Sequence, residues 1–220
     1  MNREEIKKRI TEIGVLPVVR VSSSHEAKLA VEAVYEGGIS VVEITMTVPG
    51  AVEIIHELAK ARGSDVLIGA GTVLDAAAAR RCLGAGAQFV VSPGLDLPTL
   101  ELVLAEGKVM MPGALSPTEI ITAWKAGADF VKVFPCGSVG GAKYIKALKG
   151  PLPQIPLVPT GGVNLETAAD FVLAGSEALG VGGELVQTAA LKAGKPELIV
   201  EAARKFVEIV QQARASRASL

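Results

Sequence analysis

The stretch SVVEITMTVPGAVEIIHELAKARGSDVLIGAG, residues 40–71, decides the fold. Its two ends, SVVEITM (40–46) and VLIGAG (66–71), are short and almost continuously apolar, as strands buried on both faces are. Between them, VPGAVEIIHELAKARG has the apolar spacing of a helix and ends at Gly63. The stretch therefore predicts a strand, a helix and a second strand parallel to the first.

The same unit repeats in both directions along the chain, every 20 to 27 residues or so, with no linker between units. Further strands are predicted at 15–21, 88–92, 108–113, 129–135, 156–160 and 178–183. Eight units predict an α/β fold, a (β/α)8 TIM barrel, as one domain over residues 1–220. We expect an extra N-terminal helix within residues 1–13 and a polar tail at about 212–220. A doubly wound sheet is the alternative, although no G-x-G-x-x-G follows the first strand.

The composition excludes several classes of protein. The chain is 50% hydrophobic with 24 glycines and a formal net charge of −1, which indicates a packed globular body and no nucleic-acid partner. No apolar run is long enough to cross a membrane, so we expect a cytoplasmic protein with no membrane partner. Cys82, Cys136, His25 and His56 do not have metal-ligand spacing, and no metal site is predicted.

Lys132 lies inside the apolar strand DFVKVFP. Because side chains alternate along a strand, Val131 and Val133 point to the helices and Lys132 points into the barrel. A lysine in such a place either pairs with a carboxylate for structure or performs chemistry. Burial favours the neutral amine that Schiff-base formation needs, so we favour the chemical role.

Glu43 has the same character in the second predicted strand. It alternates with Val42 and Ile44, so its carboxylate also points inward. Glu43 could be the ion-pair partner of Lys132 or a general base, and the two roles are compatible.

Two glycine-rich loops follow the seventh and eighth predicted strands. PTGGVN places Gly161 and Gly162 before a helix with Asn164 as its expected N-cap, and GVGGEL places Gly182 and Gly183 before another helix. Such loops bind phosphate through backbone N–H groups in barrels, although glycines also serve tight turns alone. With the inward lysine, the loops suggest a phosphorylated carbonyl substrate.

Six motifs occur in order along the chain: VEITMTVPGA, IGAGTVL, FVVSPG, MPGALSPTE, VKVFP and PTGGVN. On these motifs the chain resembles the bacterial family of 2-keto-3-deoxy-6-phosphogluconate (KDPG) and 4-hydroxy-2-oxoglutarate (KHG) aldolases, which also includes 2-keto-3-deoxy-6-phosphogalactonate aldolases. The resemblance covers about residues 12–210. It implies a class I aldolase that forms a homotrimer, acts on a small keto acid and needs no metal or organic cofactor.

The resemblance also implies roles for individual residues. Lys132 would form the Schiff base with the keto group, and Glu43 would be the general acid and base. Thr72 and Pro93 would line the pyruvyl pocket, with Phe134 over the imine. With the polar strand ends, the predicted substrate-binding residues are Arg20, Thr47, Thr72, Pro93, Phe134 and Thr160, and the predicted phosphate-binding residues are Gly161, Gly162, Gly182, Gly183 and Glu184.

Two positions depart from the family pattern. Many members have an arginine where this chain has Thr47, and here Arg20 could supply the positive charge for the substrate carboxylate. The family often has a small hydroxyl residue where this chain has Glu184. A carboxylate at a phosphate site repels its ligand unless it turns away or is paired.

The predicted function is cleavage of KDPG to pyruvate and glyceraldehyde 3-phosphate through a Schiff base. KHG or 2-keto-3-deoxy-6-phosphogalactonate is the alternative substrate. Three other functions were considered. A metal-dependent pyruvate aldolase is disfavoured because, beyond Glu43, the strand ends offer almost no His or carboxylate ligands. A phosphate-binding isomerase would leave Lys132 without a purpose, and the presence of both Lys132 and Glu43 disfavours a non-catalytic phospho-ligand-binding barrel.

Overall fold

The chain alternates short parallel strands with helices in a computed structural model, which describes residues 1–63 and 65–218. The helices are α1 (Arg3–Ile13), α2 (Ser24–Glu36), α3 (Ala51–Arg62), α4 (Ala76–Gly84), α5 (Leu97–Ala105), α6 (Pro117–Lys125), α7 (Ala142–Lys149), α8 (Ala168–Leu173), α9 (Thr188–Lys192) and α10 (Glu197–Ala218), with a 3-10 turn at Cys136–Val139. The strands are β1 (Val15–Val19), β2 (Val41–Thr45), β3 (Leu67–Gly71), β4 (Phe89–Val91), β5 (Val109–Met111), β6 (Gly113–Ala114), β7 (Val131–Val133), β8 (Leu157–Pro159) and β9 (Leu179–Val181).

All strand pairs among the described residues are parallel, and the strands form a strongly curved sheet. Six strands pair in the order β5-β4-β3-β2-β1-β9, and three pair in the order β6-β7-β8. Pro112 lies between β5 and β6 and has no N–H to donate, so the fifth predicted strand is divided in two. A bridge between Thr160 and Gly180 links the end of β8 to β9.

Each of the eight predicted strands overlaps an observed strand, and the observed strands are shorter. A strand was predicted over residues 129–135, for example, and the observed strand, β7, spans only Val131–Val133. The residues beyond the paired segments turn away to form the loops that carry the site.

Aliphatic side chains fill the interior, and α1 covers one end of it. Ile6 and Ile10 of α1 are fully buried, and α1 contacts β1, β2 and β5. Nε of Arg3 donates to Oδ1 of buried Asp129 at 2.8 Å, just before β7 begins. The predicted N-terminal helix is therefore present, on the face where the strands start.

The predicted polar tail is helical in the described part of the chain. Helix α10 runs to Ala218, and Ala213 is buried. The guanidinium of Arg214 donates to the carbonyl oxygens of Glu12, at 3.0 Å, and of Glu177, at 2.8 Å. These contacts hold the last turns of α10 against the body, so the prediction of a frayed tail is wrong up to residue 218. Residues 219–220 of that prediction lie outside the described residues.

No helix within residues 1–63 and 65–218 combines the length and the apolarity that crossing a membrane requires. The longest, α10, has 22 residues, and exposed charged residues such as Arg204 and Lys205 interrupt its buried positions.

Candidate active site

Lys132 and Glu43 face each other inside the curled sheet. Lys132 lies in the middle of β7 and Glu43 in the middle of β2, on opposite sides of the interior. Their exposed fractions are 6% and 0%, and Nζ of Lys132 lies 4.0 Å from Oε1 of Glu43. The distance is too long for a direct hydrogen bond, so the amine and the carboxyl group are neighbours that do not bond to each other directly.

The backbone around Glu43 leaves room for its carboxyl group. A Cβ added to Gly71 would lie 2.6 Å from Oε1 of Glu43, so only glycine fits on β3 without moving the carboxyl. Neither carboxyl oxygen of Glu43 has a hydrogen-bond partner among the described residues. A buried carboxyl without hydrogen bonds is poorly stabilised as an anion.

Burial raises the pKa of Glu43, and the positive charges of Lys132 and Arg20 oppose this shift without cancelling it. Glu43 therefore holds a proton at a pH where an exposed glutamate has lost it. A raised pKa makes the carboxylate a stronger base than an ordinary glutamate, which suits a group that accepts a proton and returns it, as a general acid and base must.

The ring of Phe134 is the other close neighbour of the Lys132 amine. Nζ of Lys132 lies 5.3 Å from the centroid of the ring, within the range of a cation–π contact. Phe134 is half-buried and also lines the adjoining cavity. The ring therefore separates the buried amine from the open part of the site.

The adjoining cavity has a volume of about 210 Å³ and brings together most of the predicted binding residues. The predicted residues that line it are Arg20, Phe134, Thr160, Gly161, Gly162, Gly182, Gly183 and Glu184. Arg20 and Glu184 are exposed at its surface. Residues of β1 and β9, and of the segments that follow β1, β7, β8 and β9, thus form one pocket next to Lys132.

Three predicted binding residues lie outside this cavity. Thr47 is exposed in a separate surface depression beside Arg81, and its Oγ1 lies 2.8 Å from Oγ1 of Thr45. Thr72, directly after β3, has φ +57°, an uncommon conformation for a residue with a side chain and one that concentrates at functional sites. Pro93, after β4, has its backbone against Gly113, where an added Cβ would lie 2.2 Å from the carbonyl carbon of Pro93.

Sequence reasoning missed the glycines that create space in the site. Besides Gly71, Gly180 in β9 is required, because a Cβ there would lie 2.1 Å from Oγ1 of Thr160. One sequence pattern could have indicated them. A glycine within a strand of branched, apolar residues often marks a place where another group lies close to the backbone.

The helix behind the first glycine-rich loop is capped by Asn164. Oδ1 of Asn164 accepts hydrogen bonds from the N–H groups of Glu166 and Thr167, both at 2.9 Å, and the carbonyl oxygen of Asn164 accepts one from the N–H of Ala168, also at 2.9 Å. These are the hydrogen bonds of an N-cap, as the sequence predicts, although the regular part of α8 spans only Ala168–Leu173. After the second glycine pair, the N–H groups of Leu185 and Val186 donate to the carbonyl oxygen of Gly182 in a single turn, and α9 begins only at Thr188.

Several backbone N–H groups of the two glycine-rich loops have no hydrogen-bond acceptor among the described residues. The backbone N–H groups of Gly162, Val163, Gly183 and Glu184 donate to no acceptor in the described part of the chain. All four residues line the cavity, so their N–H groups are available to oxygen atoms of a ligand.

Neither cysteine thiol takes part in the site, and the side chains near it do not form a metal-binding group. Cys82 and Cys136 are free and buried, and burial raises the pKa of each thiol to about 11, which keeps them protonated at neutral pH. Among residues 1–63 and 65–218, no group of three or more His, Cys, Asp and Glu side chains could hold a metal ion.

A sequence model of the family described as KDPG and KHG aldolase matches residues 6–202. The chain belongs to the KDPG and KHG aldolase family. The resemblance found in the sequence motifs is therefore confirmed, and the chain is an aldolase, an enzyme of the lyase class.

Individual relatives of this aldolase match along nearly the whole chain. The 2-dehydro-3-deoxy-phosphogluconate aldolase of Treponema pallidum (strain Nichols) is 35% identical over 199 residues, which are 90% of this chain and 94% of that protein. A KDPG aldolase from Legionella pneumophila, solved with pyruvate captured as a covalent carbinolamine intermediate, is 30% identical with a TM-score of 0.84, covering 90% of this chain and 96% of that one. A cube-shaped protein cage designed by fusing symmetric oligomeric domains has a TM-score of 0.87 at 30% identity, covering 94% of this chain and 75% of that one.

Replacing Gly71 by Ala in this aldolase is expected to lower both stability and turnover. The added methyl group collides with the Glu43 carboxyl, and overpacking of this kind costs roughly 1–3 kcal/mol of unfolding free energy. The displaced carboxyl should lower kcat by up to about 100-fold. Urea unfolding and steady-state kinetics measure the two effects.

The matched control is Gly84→Ala, because Gly84 ends α4 with nothing within 4 Å of an added Cβ. This variant should keep full activity and equal or greater stability. Combining Gly71→Ala with Glu43→Asp, which shortens the carboxylate side chain, should recover part of the lost stability. Wild-type stability and turnover in Gly71→Ala would show that the Glu43 carboxyl does not occupy the space beside Gly71.

Proposed function

We propose that this protein is a class I aldolase that cleaves a 4-hydroxy-2-oxo acid, with KDPG as the substrate, to pyruvate and glyceraldehyde 3-phosphate. The observation that carries the proposal is the buried pair of Lys132 and Glu43, 4.0 Å apart, beside an open cavity. Because the matching family model covers both activities, cleavage of KHG is the second candidate, and 2-keto-3-deoxy-6-phosphogalactonate is a further substrate to assay.

The first chemical step is the formation of an imine on Lys132. The neutral amine attacks the C2 ketone of the substrate, giving a carbinolamine that loses water to become a protonated imine. The imine withdraws electrons from the C3–C4 bond. The covalent carbinolamine captured in the Legionella pneumophila relative supports this step by analogy.

Glu43 accepts and returns the proton that moves during cleavage of the C3–C4 bond. Its carboxylate, through a water molecule, takes the proton of the C4 hydroxyl, the C3–C4 bond breaks into the imine, and the aldehyde departs. The enamine left on Lys132 takes a proton at C3 from the Glu43 carboxyl. Hydrolysis of the resulting imine releases pyruvate and restores the amine.

The lining of the cavity suggests how the substrate lies. Arg20 would bind the C1 carboxylate, and Phe134 would pack over the imine. Thr160 and the two glycine-rich loops would hold the aldehyde arm, whereas Thr72 and Pro93 would border the pyruvyl group from the neighbouring loops. Thr47 lines a separate depression, so it would act on the substrate only indirectly, through the contact between its hydroxyl group and that of Thr45.

We also propose that the two groups of strands together form one (β/α)8 barrel domain over residues 1–220, with α1 outside the cycle. The bridge between Thr160 and Gly180, and the continuation of β5 into β6, support closure. The assembly proposed is a cytoplasmic homotrimer without a metal or organic cofactor. Sedimentation equilibrium should give three times the chain mass of 22.6 kDa.

Borohydride reduction in the presence of pyruvate tests the mechanism. The proposal expects a covalent reduced pyruvate unit, located on Lys132 by peptide mass mapping, and turnover that survives treatment with a chelator. Absence of the adduct together with chelator-sensitive turnover would support a metal-bound enolate instead. Ligand binding without adduct or turnover would indicate a non-catalytic barrel.

A further inference from the structure

Two hydroxyl groups in series link the end of β2 to the end of β1. Thr45 is the last residue of β2 and is fully buried. Its Oγ1 lies 3.0 Å from the carbonyl oxygen of Val19, the last residue of β1, and 2.8 Å from Oγ1 of Thr47. A hydroxyl group has one proton, and that of Thr45 is donated to the Val19 carbonyl. Thr47 is therefore the donor of the second hydrogen bond.

The Val19 carbonyl belongs to the peptide group from which Arg20 starts. Val19 and Ile44 are the last paired residues of β1 and β2. Beyond them, the N–H and the carbonyl oxygen of Arg20 bond to no other backbone group in the described part of the chain. Because a peptide group is planar, a bond that fixes the Val19 carbonyl also fixes the direction of the N–Cα bond of Arg20. The Thr45 hydroxyl is thus an anchor for the start of Arg20.

Arg20 is the side chain that this anchor serves. It lines the cavity and is the only basic residue among the described residues of the lining. In the proposed reaction it binds the C1 carboxylate of the substrate. Arg20 is exposed and long, so it has many conformations to lose when it binds an anion. Fixing the backbone that carries it lowers this cost of binding.

The Thr45 hydroxyl does not act on the general acid and base. Glu43 and Thr45 are two residues apart on β2, so their side chains share the interior face of the strand. The two carboxyl oxygens of Glu43 nevertheless have no hydrogen-bond partner among the described residues, and the proton of Thr45 is used at Val19. The hydroxyl therefore acts on β1.

We propose that Thr45 is a positioning residue for substrate binding, whose hydroxyl group, through the Val19 carbonyl, fixes Arg20 for the C1 carboxylate of the keto acid. Thr47 supports it as the donor to Thr45. The inference rests on the proposed aldolase function and assigns a role to Thr47, which lies outside the cavity. The C1 carboxylate keeps its charge throughout the reaction, so losing the anchor weakens binding of substrate and transition state alike. The KM should change, and kcat should not.

Thr45→Val tests the proposal, because valine has the shape of threonine without the hydroxyl group. The pyruvate concentration that gives half-maximal borohydride trapping on Lys132 should rise by about 3- to 10-fold, the effect of one lost hydrogen bond. The KM for KDPG should rise with it, while kcat stays within about twofold. Thr45→Ser keeps the hydroxyl and loses a buried methyl group. It should lower stability in urea and yet bind pyruvate nearly as the wild type does.

A double-mutant cycle shows whether the hydroxyl acts through Arg20. Arg20→Gln should raise the half-maximal pyruvate concentration at least as much as Thr45→Val does. Adding Thr45→Val to Arg20→Gln should then raise it by less than about twofold further, because the group that is positioned is already gone.

Thr99→Val is the matched control for the loss of a buried hydroxyl group. Thr99 is also fully buried, and its Oγ1 donates to Asp96 at the start of α5, outside the cavity. This variant should lose stability without changing the half-maximal pyruvate concentration. A rise equal to that of Thr45→Val would show a general effect of destabilisation and overturn the inference.

The other outcomes separate this inference from the proposed function. If pyruvate is trapped on Lys132 while Thr45→Val leaves the half-maximal concentration unchanged, the aldolase proposal stands and the role of Thr45 is overturned. An equal effect of Thr45→Val with and without Arg20→Gln overturns it as well. If the wild type forms no adduct and cleaves neither KDPG nor KHG, the aldolase proposal fails, and the inference fails with it.

Discussion

Replacing Lys132 by Ala or Met is expected to abolish the trapped pyruvate adduct and to lower kcat/KM by roughly 10⁴-fold or more. The amine of Lys132 is the nucleophile of the proposed reaction. Arg20 is the only basic residue among the described residues that line the adjoining cavity, and its guanidinium cannot replace the amine as the nucleophile. Borohydride trapping followed by mass mapping, with steady-state kinetics on the same preparations, measures both effects.

Two features of the design keep this experiment interpretable. Lys132→Ala leaves a cavity beside the buried Glu43, whereas Lys132→Met fills most of the volume without a charge, so comparing the two separates loss of the amine from loss of packing. Lys146→Met, which alters an exposed lysine of α7, is the control and should retain full activity. Turnover above one hundredth of the wild-type value in Lys132→Met would contradict the Schiff-base mechanism.

Replacing Glu43 by Gln is expected to lower kcat by about 10²- to 10⁴-fold, the usual contribution of a general acid or base. The amide keeps the shape of the side chain and cannot take the C4 hydroxyl proton. Pyruvate should still form an adduct with Lys132 in this variant, because the amine is intact. Unchanged turnover in Glu43→Gln would contradict the role of Glu43 as the general acid and base.

The pH dependence of the wild-type enzyme follows from the same carboxyl group. Burial raises the pKa of Glu43, and only the carboxylate form accepts the C4 proton. The kcat should therefore fall as the pH is lowered through this raised pKa, at a higher pH than the ordinary value of 4.5 would give. The residual activity of Glu43→Gln should lack this acidic limb, and a wild-type profile that stays flat down to pH 4.5 would contradict the assignment.

Stability should depend on pH through Glu43 as well. The folded state holds the proton of Glu43 more tightly than the unfolded chain does, because its pKa in the fold is raised. The contribution of this proton to the free energy of unfolding has its full value below about pH 4.5. It is lost as the pH rises through the pKa that Glu43 has in the folded protein. Urea unfolding at a series of pH values should show the wild type losing stability relative to Glu43→Gln over that range. Glu53→Gln, at an exposed position of α3, is the control and should track the wild type throughout.

The sequence predicts the parallel strands and the buried pair of Lys132 and Glu43 because both follow from local alternation. Apolar strands with helices between them require a parallel sheet covered by helices, and the strands found in the structure overlap every predicted one. Lys132 and Glu43 each alternate with branched apolar residues, and this was enough to predict that both would be buried. Their separation of 4.0 Å depends on which strands face each other across the interior, which a local pattern does not contain.

The features that the sequence did not reveal depend on contacts between distant parts of the chain. The polar end of α10 looked unstructured because its anchor is the pairing of Arg214 with carbonyl oxygens of Glu12 and Glu177, far away in the sequence. The space made by Gly71 is likewise visible only once the Glu43 side chain is placed against it.

The placement of α1 and α10 has a practical consequence. Arg3 is anchored just before β7 and Arg214 just before β9, so α1 and the C-terminal end of α10 lie where the strands begin, opposite the open mouth of the cavity. A tag, a surface anchor or a second protein joined next to either helix would leave the mouth facing free solution. The protein is thus suited to immobilisation in a fixed orientation, and small molecules should reach an array of such attached copies as readily as they reach the same copies free in solution.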